Sequence, residues 1–218
     1  MIDAALIWEW IIKSLILILF LTVGFMYVTV YERRFLARIQ SRIGPNRAGP
    51  FGLLQPAADG LKLIFKEELI PANADKFLFI IAPVITVIPA LIVLAVVPWG
   101  ESLHIFGRQV NLFVSDINVA VVYIMAVTSI SVYGITLAGW SSDNKYALLG
   151  GLRSVAQMIS YELSLGLSFM GPVVLAGSLS MMDIVHAQQT GVWNILLQPV
   201  AFLIYFFASI AEINRAPF

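Results

Sequence analysis

The sequence predicts an all-α polytopic membrane protein: five transmembrane helices plus an interfacial amphipathic helix, in a single membrane domain over residues 1–218. Three observations carry that prediction. Hydrophobic residues make up 60% of the chain and charged residues only 12%, about half the charged share of a soluble domain, and mean hydropathy is +0.90. The apolar residues gather in runs long enough to cross a hydrocarbon core of about 30 Å. The charges gather instead in Tyr31 to Pro71, YERRFLARIQSRIGPNRAGPFGLLQPAADGLKLIFKEELIP, wedged between two apolar runs.

The first run covers residues 11–31, with Lys13 placed to snorkel at one end. Met1 to Ile7 has neither the basic start nor the small-residue cleavage site of a signal peptide, so this run is expected to be retained. The second, 77–99, contains Pro83 and Pro89, whose missing backbone bonds neighbouring helices must make good. The third, fourth and fifth cover 117–140, 152–177 and 193–211. Trp99, Trp140 and Trp193 stand near span boundaries, where an aromatic belt places them.

Lysine and arginine set the orientation. Residues 32–76 hold eight of them, 141–153 hold two, and Arg215 follows the fifth run, whereas only Lys13 and Arg108 fall on the opposite side. The positive-inside rule then puts the N-terminus outside and residues 32–76 on the cytoplasmic face. Within that segment Leu53, Leu54, Ala57, Ala58, Leu61, Ile64 and Phe65 share one arc of a helical wheel, opposite Gln55, Asp59, Lys62 and Lys66. Such a helix lies at the membrane surface, either as a simple anchor or as a wedge that opens a lateral gap for a lipid-soluble substrate.

With no cysteine, disulfides, iron–sulfur clusters and thiolate metal sites are excluded from this chain, and no metal site is expected. His104 and His186 both fall in expected outside loops, which argues against a haem held in the spans. No phosphate-binding or dinucleotide fingerprint is present, and no nucleic-acid partner is expected.

Glu162 is the sharpest single residue. It sits about ten residues into the fourth run, where a carboxylate is costly and points to function. Arg153 lies about 180° away on the wheel, and the neighbours Val155, Met158, Ile159, Gly166 and Phe169 are apolar or small, so the helix does not neutralise its own acid. Reversible protonation and a permanently protonated, hydrogen-bonding acid are the two readings. Arg153, Gln157, Ser160, Ser164 and Ser168 form a polar line on the same helix, serving either interhelical packing or a water path. Glu212 and Arg215 lie three apart at the inner end of the fifth run, as a surface ion pair or as a proton exit. The five arginines Arg33, Arg34, Arg38, Arg42 and Arg47 suit a topology signal, anionic lipid, or docking of an acidic or redox partner.

The Tyr31–Pro71 string, GWSSDNKYALLGGLRSVAQMISYELSLGL and AEINRAPF together resemble the signature segments of one family. It is the family of the H subunit of the proton-pumping NADH:quinone oxidoreductase, respiratory complex I, with its mitochondrial counterpart, NADH dehydrogenase subunit 1. The resemblance covers residues 31–218 with order and spacing kept. It implies a multi-pass inner-membrane subunit that joins the membrane and hydrophilic arms and forms much of the tunnel for ubiquinone or menaquinone. No redox cofactor would be bound by this chain; FMN and iron–sulfur clusters would reside in partner subunits. By the same resemblance Arg33, Arg34, Arg42, Phe51 and Asp59 match the quinone tunnel and docking region. Glu162, Glu212, Arg153, Lys145 and Arg215 match a chain of charged residues that transmits quinone reduction to antiporter-like subunits. Asp143 departs from the pattern and is not carried over. The resemblance also implies C-terminal truncation, since relatives continue past Phe218 through an acidic cytoplasmic loop and about three more helices. The alternatives are the corresponding subunit of an energy-converting hydrogenase, a stand-alone cation or proton antiporter, and a purely structural anchor. The absence of a visible inverted repeat weakens the antiporter.

Overall fold

A computed structural model describes residues 4–105 and 108–214. The chain is predominantly helical and forms two compact units, Met1–Leu69 and Ile70–Phe218.

In the first unit, α1 (Ala4–Ile39) is a single helix of 36 residues. Leu, Ile, Phe and Val fill it without a proline, and its most apolar 18-residue window has mean hydropathy 2.3. The helix runs two turns past the expected end at residue 31, so Arg33, Arg34 and Arg38 are helical rather than loop residues. It stops in a Schellman arrangement: the Ser41 amide donates to the Arg38 carbonyl and the Arg42 amide to the Ala37 carbonyl, with Ser41 left-handed at φ 53°. The chain then folds back through a 3-10 turn, Pro50–Gly52, into α2 (Gln55–Ile64). Gly52 is obligatory there, because its φ is +72° and a Cβ would stand 2.3 Å from the Pro45 carbonyl oxygen. Leu61, Leu63, Ile64 and Phe65 are all exposed at the end of this segment.

The second unit packs its helices in series, α3 (Lys76–Val93) on α4 (Ala120–Ser141), α4 on α5 (Lys145–Ala176) and α5 on α8 (Pro199–Glu212). The first of these, α3 (Lys76–Val93), begins at Asp75, whose carboxylate caps the amides of Phe77 and Leu78, and it keeps Pro83 and Pro89 inside. A short antiparallel hairpin follows, β1 (Ser102–Ile105) with β2 (Arg108–Asn111), in the register Ser102↔Asn111 and Ile105↔Arg108. Next come α4 (Ala120–Ser141) and α5 (Lys145–Ala176). Asp143 takes φ 50° in the turn between them, a conformation that a short polar side chain tolerates better than most. Asn144 caps α5 through the Tyr146 amide, so α5 starts seven residues before the expected boundary and takes in Lys145; Gly177, at φ 66°, ends it.

Two close helix approaches hold this unit together. A Cβ on Gly134 of α4 would meet Thr86 Oγ1 at 2.1 Å and the Ala82 carbonyl at 2.7 Å, both on α3. One on Gly139 would meet the Ala147 carbonyl of α5 at 3.1 Å. Small residues at crossings let helix backbones approach within membranes, where no hydrophobic effect drives helices together.

Among the described residues, α1, α3, α4 and α5 are long and apolar enough to cross a membrane. The expected fifth span over 193–211 differs: it is one turn, α7 (Asn194–Leu197), a break at Gln198, and α8 (Pro199–Glu212) of 14 residues. Pro199 accounts for the break, since a residue preceding proline is driven from the helical region and Gln198 stands at φ −134°, ψ 62°. An additional helix, α6 (Met181–Thr190), occupies part of the expected outside loop, and its His186 Nδ1 lies 3.3 Å from Glu101 Oε1.

Candidate functional site

Two polar clusters stand out, one in each unit. The first is built where α1 emerges from its apolar stretch. Arg33 and Arg34 are neighbours on a helix and therefore point about 100° apart. Arg33 Nη1 donates to Asp59 Oδ2 on α2 at 2.5 Å, and Gln55 Nε2 donates to Asp59 Oδ1 at 3.1 Å. Arg34 Nη2 donates to the Phe51 carbonyl, the residue held left-handed at φ 54°. The two arginines thus pin both the turn and the amphipathic helix to α1, and Asp59 consumes the charge of Arg33.

Beside this pin, a cavity of about 420 Å³ is lined by Arg34, Arg38, Arg42, Ile43, Asn46 and Phe51, among others. Arg42 Nε donates to Gln40 Oε1 at 2.7 Å. Phe51 is 81% exposed, so its ring presents an apolar surface next to guanidinium groups. Of the five residues expected at the tunnel, Arg34, Arg42 and Phe51 share this cavity, while Arg33 and Asp59 form the adjacent ion pair.

The hydrogen bond from Arg33 holds the Asp59 carboxyl below its ordinary range, with the Gln55 bond adding to it. A lowered carboxyl value means that the pair contributes above the unfolded value and is lost only as pH falls through the lowered one. Hydrogen-exchange protection of α2 relative to an Asp59→Asn variant is therefore expected to stay constant from about pH 8 to 5. It should vanish only below about pH 4, the ordinary carboxylate value. Loss of the difference near neutral pH would contradict the pin.

The second cluster lies between α4, α5 and α8. Glu162 is partly buried on the face of α5 turned to α4, four residues before Gly166, where a Cβ would touch Met125 Cε at 3.3 Å. Ser129 Oγ of α4 is hydrogen-bonded to Glu162 Oε1, and lies 2.8 Å from the Met125 carbonyl. Glu212, at the end of α8, is partly buried within electrostatic reach of Glu162. Gln157 Nε2 donates to the Ala211 carbonyl at 3.4 Å and Asn214 Nδ2 to Ser154 Oγ at 2.5 Å, tying the end of α8 to α5. Interhelical bonds of this kind average only about 0.6 kcal/mol in membranes, so they set geometry more than stability.

The structure therefore places Glu162 and Glu212 within electrostatic reach of one another, and among the described residues neither Arg153 nor Lys145 forms an ion pair with them. Arg153 is exposed on α5, and Lys145 is exposed at its start with Nζ 5.4 Å from the Tyr146 ring centroid. Arg215 lies outside the described residues. The hydroxyls of the serine line bond back to their own helix, Ser160 to the Ala156 carbonyl, Ser164 to that of Ser160 and Ser168 to that of Leu165. Sequence reasoning misses Ser129. Its signal is the hydroxyl cluster Thr128, Ser129 and Ser131 inside an apolar helix.

Together these features define a polytopic, predominantly helical membrane protein with two partly buried acids in one unit and an arginine-pinned amphipathic helix in the other. The chain belongs to the NADH dehydrogenase family, whose model matches residues 12–218. It is 53% identical to the NADH-quinone oxidoreductase H subunit of Thermomicrobium roseum over 88% of this chain and 59% of that protein. It is 50% identical to the second of the numbered H subunits of Geobacter metallireducens over 95% of this chain and 63% of that protein. For NADH-quinone oxidoreductase subunit 8 of Thermus thermophilus the identity is 48%, over 97% of this chain and 57% of that protein. The chain spans about three fifths of the length of these curated relatives.

Proposed function

We propose that this chain is a membrane-arm subunit of a proton-pumping NADH:quinone oxidoreductase. It builds the quinone access and binding tunnel together with the hydrophilic arm and couples quinone reduction to proton translocation. The observation that carries this reading is the Arg33–Asp59 pin, which holds an amphipathic helix against the end of α1 and leaves its apolar side open beside a cavity lined by Arg34, Arg42 and Phe51. A long-tailed quinone needs such a combination: an apolar rim for the tail, and cations with an acid near the head group whose reduction takes up protons. The name of the relatives, NADH-quinone oxidoreductase, supports this choice of reaction.

On this reading the quinone is ubiquinone or menaquinone, and electrons arrive from a cluster in a neighbouring soluble subunit; FMN and the iron–sulfur clusters reside in partner chains. Reduction draws protons and shifts the charge balance at Asp59 and the arginines. Glu162 and Glu212 answer by changing protonation, with Arg153, Lys145 and Arg215 extending the charged axis. The protein sits in a bacterial inner membrane or its mitochondrial equivalent, in contact with lipid, with the N-terminus outside and residues 32–76 cytoplasmic.

The test is isolation of the tagged protein from its native membrane with its partners, followed by labelling with a photoreactive quinone. Expected are an NADH-oxidising flavoprotein among the partners, NADH:quinone reductase activity, and label within residues 33–59. A nickel–iron hydrogenase among the partners, or label confined to other subunits, would overturn the reading.

A further inference from the structure

We infer that Ser129 is a positioning residue for Glu162, acting as a rotating hydroxyl whose hydrogen follows the protonation state of that acid. A serine hydroxyl carries one hydrogen and two lone pairs. Ser129 Oγ nevertheless has two acceptors within reach, Glu162 Oε1 on α5 and the carbonyl of Met125 on its own helix. One hydrogen cannot serve both.

When Glu162 is protonated, the carboxyl O–H donates to Ser129 Oγ and Ser129 donates to the Met125 carbonyl; every group is satisfied. When Glu162 is ionised it has no hydrogen to give, and the Ser129 hydroxyl turns about its Cβ–Oγ bond to donate to the carboxylate. The Met125 carbonyl is not stranded by that turn, because it keeps the backbone amide one helical turn on, and Thr128 Oγ1 also donates to it at 3.0 Å. Ser129 gains and loses no proton in the cycle. The proton that leaves Glu162 departs from the carboxyl itself, and only the direction of one O–H bond changes. The arrangement gives both charge states a satisfied partner at one position, so Glu162 can change protonation without a rotamer change.

The groups facing Glu162 make Ser129 the adjustable one. The described part of α4 carries no charged residue, and its ionisable side chains are Tyr123 and Tyr133. On α8 the facing acid is Glu212, which acts through its charge, and Tyr205 is the other ionisable group of that helix. On α5 itself, Lys145, Tyr146 and Arg153 lie at least two turns away and Tyr161 is the neighbour in sequence.

This inference rests on the reading of Glu162 as an acid that titrates in turnover, and the experiment separates the two. In membranes holding the assembled enzyme, infrared difference spectra across a pH series are recorded for the wild type, Glu162→Gln, Ser129→Ala and Ser129→Thr. The carboxyl band missing from Glu162→Gln reports Glu162. Ser129→Ala is expected to move that band to higher wavenumber and to displace the pH midpoint of quinone reductase activity. Ser129→Thr, which keeps the hydroxyl, is expected to retain both. An unchanged Glu162 band and unchanged pH profile in Ser129→Ala would overturn the role of Ser129 while leaving Glu162 as the titrating acid. Absence of any band sensitive to Glu162→Gln, with normal turnover in that variant, would remove the reading of Glu162 and this inference with it. Should Ser129→Ala fail to assemble, Ser129→Cys, of similar volume and a weak donor, must shift the band in the same direction or the inference falls.

Discussion

Glu162→Gln is expected to lower coupled quinone reductase activity about tenfold with assembly of the complex intact. That loss is smaller than the roughly 10²–10⁴ range for removing a group that transfers a proton directly in a transition state, because Glu162 would act at a distance from the quinone. Glutamine has the same shape as a protonated glutamate and can both donate and accept, so the contact with Ser129 on α4 survives the exchange. What it cannot do is ionise. The substitution therefore isolates charge from packing, and the measurement is NADH-driven quinone reduction with proton uptake in sealed vesicles. Normal turnover and pumping in this variant would reduce Glu162 to a structural hydrogen-bonding acid.

Gly134→Val should be worse, and for a wholly different reason. The added atoms enter the α3–α4 crossing, where even a Cβ stands 2.1 Å from Thr86 Oγ1 and 2.7 Å from the Ala82 carbonyl. Overpacking of a close contact costs about 1–3 kcal/mol, and beyond the Thr86 hydroxyl the cost here falls on the Ala82 carbonyl and Thr86 amide, backbone that cannot rotate away. The expected result is loss of most assembled complex from the membrane, read by native gel electrophoresis and by thermal stability in detergent. Adding Thr86→Ala removes the nearest clashing atom but leaves the Ala82 carbonyl, so rescue should be partial. Full assembly of Gly134→Val would show that α3 and α4 do not need this approach.

The spans are readable in the sequence because hydropathy is a property of long windows. Residues 117–140 read as one span, and α4 occupies Ala120–Ser141. Boundaries are less readable. Arginine at positions 33, 34 and 38 marks the end of the apolar run but is a good helix former, so α1 continues to Ile39 until the Schellman turn stops it. At α5 the cap residue Asn144, not the first apolar residue, fixes the start. The break at Gln198 is carried by one proline within a stretch apolar enough to pass as continuous. Asp59 and Arg33 can both be named from the sequence, yet their pairing depends on a turn whose shape is set by Gly52 and Pro45. Ser129 is the clearest omission: serine is common in apolar helices, and only the approach of α5 at Gly166 turns it into a partner for Glu162.

The shortness of α8 has a consequence for the lipid around it. Fourteen residues span about 21 Å at 1.5 Å each, against a hydrocarbon core of about 30 Å. That is negative hydrophobic mismatch, and the bilayer answers it by thinning or by letting head groups and water sink toward the helix end, at a cost of fractions of a kcal/mol per Å. The dip would form at Gln198, where the helix begins; the side-chain oxygen of Gln198 stays out of it, buried against Gly171 of α5 without a hydrogen-bond partner. The annular lipid beside α8 is then compressed, and long-chain or sterol-stiffened bilayers should resist accommodating this helix more than short-chain ones do.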